Sequence, residues 1–181
     1  VDEQISAVQP DGVRTADGEL HELDVLIMGT GFAATEFLAP MRIRGSDHRD
    51  LHEEWATGAR AHLGITVPGF PNFFMLYGPN TNLGGSSVIA MLEAQATYVA
   101  QAATDADRRG GPITIRENAA NSYDDEVQGR LSGSVWSSCA SWYREPGGRI
   151  TTNWPGTVTE YQDRTARFDP TVFETLMEPQ P

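Results

Sequence analysis

The chain has 181 residues, 39% of them hydrophobic and 21% charged, and a formal net charge of -12, a length that fits one domain or two incomplete parts of a larger one. With only 13 Lys and Arg and no basic cluster, the charge argues against nucleic acid as a partner, and no run approaches the ~20 apolar residues that a membrane-spanning helix requires. Cys139 is the only cysteine, which rules out an intrachain disulfide and a cysteine-based metal site.

In chain order, residues 4–8 are β-prone, and Asp11-Gly12 and then Asp17-Gly18 supply turn signals. Residues 24–28 (Asp-Val-Leu-Ile-Met) form a continuous apolar run after the first residue, the pattern of a strand buried on both faces of a largely parallel sheet. Residues 41–44 read as a short edge strand, and Asp47 as the N-cap of a short helix reaching Trp55. After a loop-rich stretch over 58–71, residues 73–77 (Phe-Phe-Met-Leu-Tyr) repeat the buried-strand signature and are stopped by Gly78-Pro79. Ser86 or Ser87 caps a helix to about Thr104, with Val88, Met91, Leu92, Ala96 and Val99 at helical spacing. A strand over 112–116, a helix over 118–131, an aromatic and glycine-rich irregular region over 135–155 and a turn or short helix over 157–161 complete the pattern, before a tail ending in prolines. No leader signal precedes the first strand, so a cytoplasmic location is the expectation. Val1 leads almost at once into strand-like sequence, as expected of a cut inside a domain.

Gly29-Thr30-Gly31-Phe32-Ala33-Ala34 fits G-x-G-x-x-A, in which glycines let backbone amides approach a pyrophosphate at a helix N-terminus. The helix it should open lies inside a βαβ unit of ~30 residues, and Pro40 interrupts it soon after Ala34. An independent dinucleotide site is therefore disfavoured. His48 and His52 are spaced for one helix face but lack a further ligand set, and Cys139 lacks an activating neighbour in sequence.

The run from Asp24 through Gly29-Thr30-Gly31-Phe32 resembles the strand and "ATG" segment of flavin-containing and Baeyer-Villiger monooxygenases, with Gly29 in place of the alanine. The resemblance continues through residues 51–55, through 63–74 (Leu-Gly-Ile-Thr-Val-Pro-Gly-Phe-Pro-Asn-Phe-Phe) and through 78–84 (Gly-Pro-Asn-Thr-Asn-Leu-Gly). It resumes at 91–95, at Ser141-Trp142-Tyr143 and at Trp154-Pro155-Gly156, covering most of residues 5–165 in the family's order.

The resemblance implies an α/β chain, a partial form of the flavoprotein fold with two dinucleotide-binding domains. Residues 1–34 would end an NADP-binding domain and link it to the FAD domain, 35–165 would form the C-terminal part of the FAD-binding domain, and 166–181 a tail. It implies FAD and NADP as cofactors, and an enzyme that uses O2 through a C4a-peroxyflavin to oxidise a ketone, sulfide or amine. Both Rossmann motifs and the arginine expected at the flavin would lie in a missing N-terminal part of the same enzyme, so the chain alone is expected to be inactive. The cofactor-binding residues implied are Thr30, Gly31, Gly78, Pro79, Asn80, Thr81, Asn82, Leu83 and Trp142, with Gly84 and Gly85 sparing room for a flat ring. Some of these have a plainer reading: a tight inter-domain turn for Thr30 and Gly31, a well-capped loop for Gly84 to Ser87, and core packing for Trp142, as for Trp136 and Trp154. The alternative function is a non-catalytic α/β module binding a partner through its aromatic C-terminal region.

Overall fold

The computed structural model describes residues 3–31, 33–138, 143–145 and 147–176. By internal contacts the chain divides into two compact units, Val1–Phe32 and Ala33–Pro181.

The first unit is a three-stranded antiparallel sheet in the order β1 (Ile5–Gln9), β2 (Gly12–Thr15), β3 (Leu20–Glu22). Val13 pairs with Val8 on one side and His21 on the other, and it is buried, as is Thr15. The second turn is held by Asp17: its Oδ1 accepts from Thr15 Oγ1 at 2.6 Å and from the Glu19 backbone N–H at 3.1 Å. The Thr15 bond, the larger cause, holds the Asp17 carboxyl below the usual carboxylate range. Residues 24–28, expected to be a buried strand, join no ladder; Val25 is 74% exposed and Ile27 87%. A strand buried on both faces needs neighbours along both edges and cover on both faces, and the first unit's own strands supply none of these.

In the second unit, α2 (Val88–Arg109) is the longest element. Ser87 caps it, and Gly110 ends it in the left-handed conformation with Arg108 and Arg109 in the last turn. Its buried stripe is Met91, Gln95, Tyr98, Ala102, Asp105 and Ala106. That stripe differs from the expected one: Leu92 and Val99 are half-buried and Ala96 is exposed, while an amide, Gln95, sits in the centre.

Strand β4 (Ile113–Ile115), α3 (Glu117–Ser132), α4 (Val158–Thr165) and β5 (Phe173–Thr175) pack with α2 around one core that includes Ile65, Ile113, Ile115, Val127, Leu131, Tyr161 and Phe173. β5 was assigned by sequence to a tail; it pairs antiparallel with β4, Phe173 opposite Ile115, and both are 1% exposed. Three residues show too little alternation to be read as a strand. Helices α3 and α4 are joined by Arg130 with Glu160 and Arg164 with Glu126, and both guanidinium groups lie 5.4 Å from the Trp154 ring centre.

A second core gathers Leu51, Trp55, Ala59, Val67, Phe70 and Met75 around α1 (Leu51–Glu54). Asp50 caps α1, not Asp47, its side chain accepting from the His52 backbone N–H at 2.9 Å. Asp47 and His48 have left-handed φ of 54° and 61°, which ends the preceding 3-10 turn Ser46–His48 before a helix can propagate. Residues 41–44 form no strand beyond an isolated bridge from Arg44 to Asp50.

Residues 73–77 also form no ladder. Their backbone N–H groups are used singly: Met75 donates to Ile65 O at 2.7 Å and Tyr77 to Gln95 Oε1 at 2.9 Å. No helix follows Gly31 within residues 33–45, in keeping with Pro40 as a block to a Rossmann crossover.

Candidate cofactor groove

The second unit contains a groove of about 310 Å³ lined by Ala34, Phe37, Tyr77, Gly78, Asn82 and Thr152. Its floor is built by close backbone approach. A Cβ at Gly78 would collide with the Gly64 carbonyl oxygen, so only glycine lets the turn settle there. Pro79, Asn80 and Thr81 are buried. The Thr81 hydroxyl donates to Gly78 O at 2.7 Å, closing the turn on itself. Asn80 takes a left-handed φ of 57°, and its Nδ2 donates to Ile150 O at 2.8 Å and Asn153 O at 3.0 Å. The side chains of Asn80 and Thr81 therefore face inward and shape the turn.

The turn is held along residues 150–154. Asn80 N donates to Thr151 O at 2.7 Å, Asn82 N to Thr152 O at 2.9 Å, and Trp154 N to Asn82 O at 2.8 Å. These form a short parallel bridge at Asn82 and Asn153, reinforced by Asn82 Nδ2 donating to Asn153 Oδ1 at 3.0 Å. Trp154 belongs to the main core, so the turn is anchored to the most deeply packed part of the unit.

Phe37 and Tyr77 supply aromatic side chains to the groove. Phe37 is steadied by an edge contact with Trp55, ring centres 6.3 Å apart. Tyr77 has φ 61°, and its Oη donates to Asn82 Oδ1 at 2.9 Å. Beyond the turn, Leu83 packs on the main core and Gly84 lies under Trp136. A Cβ at Gly85, two residues before the Ser87 cap of α2, would meet nothing within 4 Å.

Of the sequence-derived site residues, Gly78 and Asn82 reach the groove wall, while Pro79, Asn80, Thr81 and Leu83 support the same turn from within or behind. Thr30 and Gly31 belong to the first unit, where both are exposed and Gly31 has φ 78°. Trp142 and Cys139 lie outside the described residues. Sequence reasoning missed Phe37, Tyr77, Thr152 and Gln95. Gln95 carried a usable signal, a polar residue four after Met91 and three before Tyr98 on one helix face; Thr152 carried none.

One titratable group behind the turn is strongly displaced. Burial pushes His62 down from 6.5 to about 4, with Asp169 a weaker opposing influence. Its ring meets Tyr123 edge-on at 5.0 Å between centres, and neither His62 Nδ1 nor Tyr123 Oη has a hydrogen-bond partner. His62 is thus a neutral packed ring. Among the described residues no helix is long and apolar enough to cross a membrane, and no group of three His, Cys, Asp or Glu side chains is placed to hold a metal.

No family model matches the chain. It is 42% identical over 170 residues to the FAD-binding monooxygenase ktnD of Aspergillus niger, covering 90% of this chain and 28% of that protein. It is 39% identical over 176 residues to a Baeyer-Villiger monooxygenase of Streptomyces coelicolor, covering 95% of this chain and 34% of that one. Among solved structures, OTEMO in complex with FAD and NADP superposes with a TM-score of 0.77 at 29% identity, over 97% of this chain and 34% of that chain. The chain thus spans about a third of the length of the proteins it matches. In sequence and in fold it corresponds to a C-terminal part of a Baeyer-Villiger-type flavoprotein monooxygenase.

Proposed function

We propose that these residues form the C-terminal part of an FAD- and NADPH-dependent monooxygenase that transfers one oxygen atom of O2 to a small organic substrate, a ketone, sulfide or amine. The observation that carries the reading is the groove itself: the aromatic residues Phe37 and Tyr77 beside the tightly closed turn at Gly78, with polar Asn82 and Thr152 in the same lining. That combination suits a flat heteroaromatic ring with polar edges.

When bound, FAD accepts electrons from NADPH and passes them to O2; the chain's residues bind and orient. Gly78 lets the turn close against the Gly64 carbonyl behind the groove, and Asn82, fixed by three backbone and side-chain bonds to residues 152–154, keeps the groove edge rigid. The N–H groups at the start of α2 that Ser87 leaves uncapped carry roughly half a positive charge, which is proposed to favour the negative charge that a flavin gains on reduction. Leu83 and Pro79 hold this edge from behind, and Asn80 and Thr81 set its curvature.

Thr30 and Gly31 are proposed to meet the nicotinamide side through backbone groups, and Trp142 to cover NADP and exclude water from the reduced, oxygen-reactive flavin. Residues 1–34 would then end the NADP domain, and the rest would complete the FAD domain. The dinucleotide phosphates are bound by parts of the enzyme outside these residues, which leaves the chain inactive by itself, and a cytoplasmic location is proposed with it.

The test is expression of the whole enzyme. A yellow protein with stoichiometric FAD, whose NADPH oxidation is stimulated by a ketone, sulfide or amine with formation of the ester, sulfoxide or N-oxide, supports the reading. A protein with no bound flavin and no NADPH oxidation ends it.

A further inference from the structure

We propose that Tyr77 contacts the flavin and that Gln95, buried in α2, is the positioning residue that holds Tyr77 in place; this rests on the flavin reading above. Tyr77 is 46% exposed, and it lines the groove with Phe37. Its φ of 61° is in the left-handed region, where a bulky L residue persists only if its surroundings over-determine it. Two bonds do so. At the back, Gln95 Oε1 accepts the Tyr77 backbone N–H at 2.9 Å; at the front, Tyr77 Oη donates to Asn82 Oδ1 at 2.9 Å. Together they brace both ends of the turn that forms the groove floor.

Gln95 is a polar exception at its position. It is fully buried in a stripe whose neighbours are Met91 and Tyr98, and a buried amide is unfavourable unless bonded. Its Nε2 donates to Tyr161 Oη at 2.8 Å, and that hydroxyl donates in turn to the Leu63 carbonyl. Leu63 precedes Gly64, whose carbonyl packs directly under Gly78. The polar chain therefore leaves the groove at Tyr77, crosses the core through Gln95 and Tyr161, and returns to the groove floor. Burial pushes the Tyr161 phenol up, so its hydroxyl stays protonated and able to donate.

The test uses the whole enzyme, comparing wild type, Gln95→Met and Tyr77→Phe in FAD dissociation constant, visible flavin spectrum and melting temperature. Gln95→Met keeps the shape but removes both the acceptor for Tyr77 N–H and the donor to Tyr161 Oη; FAD should bind about tenfold more weakly, with a displaced flavin absorption band. A lower melting temperature with unchanged FAD affinity and spectrum in the folded protein would show a merely structural amide and overturn the proposal. If Gln95→Met yields no folded protein, Tyr77→Phe at a half-exposed ring decides: about threefold to tenfold weaker FAD binding supports the brace, and unchanged binding overturns it. Wild-type enzyme that binds no FAD removes the flavin reading, and this inference with it, whereas wild type that binds FAD alongside indistinguishable variants removes this inference alone.

Discussion

Residues 25–28 and residues 73–77 are written in the same alphabet, short apolar runs ended by glycine, yet the fold treats them differently. The first is exposed along its length, up to 87% at Ile27. The second is drawn into the core at Met75, 5% exposed, and its N–H groups find single partners in a loop carbonyl and a helix amide. An apolar run encodes a demand for cover and says nothing of what will supply it. In the second unit α2 and the loop around Ile65 meet that demand; in the first unit the three strands of its sheet leave it unmet.

Truncation separates the two most widely. Met75→Ala should destabilise the chain by about 2–5 kcal/mol through lost transfer energy and a residual cavity, read as a shift in urea midpoint. An equally large loss from Ile27→Ala would show that residues 25–28 are covered after all.

The next effect is in pH. Because His62 titrates near 4 when folded and near 6.5 when unfolded, the unfolded state binds the extra proton between those values. Stability is therefore fully present above about pH 6.5 and declines as pH falls toward 4, by about 3 kcal/mol in total. His62→Gln should flatten that part of a pH series of denaturation curves. The carboxylates of Glu126 and Glu160, held below their usual range mainly by hydrogen bonds from Arg164 and Arg130, lose their own stabilisation as pH falls through the ordinary carboxylate range, in wild type and His62→Gln alike, so the difference between the two pH series isolates the histidine.

Asn80→Ala should lose about 1–3 kcal/mol, since two buried carbonyls, Ile150 O and Asn153 O, lose their donor. In the whole enzyme it should also weaken FAD binding, because the turn beneath the groove loses its anchor. Loss of stability with unaltered flavin affinity would separate the anchor from the groove. Smallest of all, Ile27→Ala should stay within about 0.5 kcal/mol, while lowering self-association of the chain in sedimentation by removing exposed apolar surface.

Local chemistry made several elements legible. Ser87 marks the start of α2 because a cap acts within one turn, whereas the helix runs beyond the expected end near Thr104 to Arg109, where Gly110 stops it; Asp17-Gly18 makes its hairpin because Asp, Thr and Gly contain the whole turn. The cofactor turn was legible as a block of residues, Gly78 to Leu83, but not as a division of labour. Nothing local tells which of Asn80 and Asn82 points inward; that follows from residues 150–154, some seventy positions away along the chain. The sequence points to Asp47 as the cap of α1, and the left-handed backbone at 47 and 48 moves that role to Asp50.

By itself, the sequence determined the presence of the α2 and α3 helices, the hairpins of the first unit, and the kinship with flavoprotein monooxygenases. Each rests on periodicity, capping or a contiguous motif, which act over a few residues. Tertiary structure alone decided that β5 completes a sheet with β4, that Gln95 is buried, and that Phe37, Tyr77 and Thr152 share one groove. Those outcomes depend on which distant surfaces meet, and burial and hydrogen bonding between distant residues are properties of the packed chain that no local window contains.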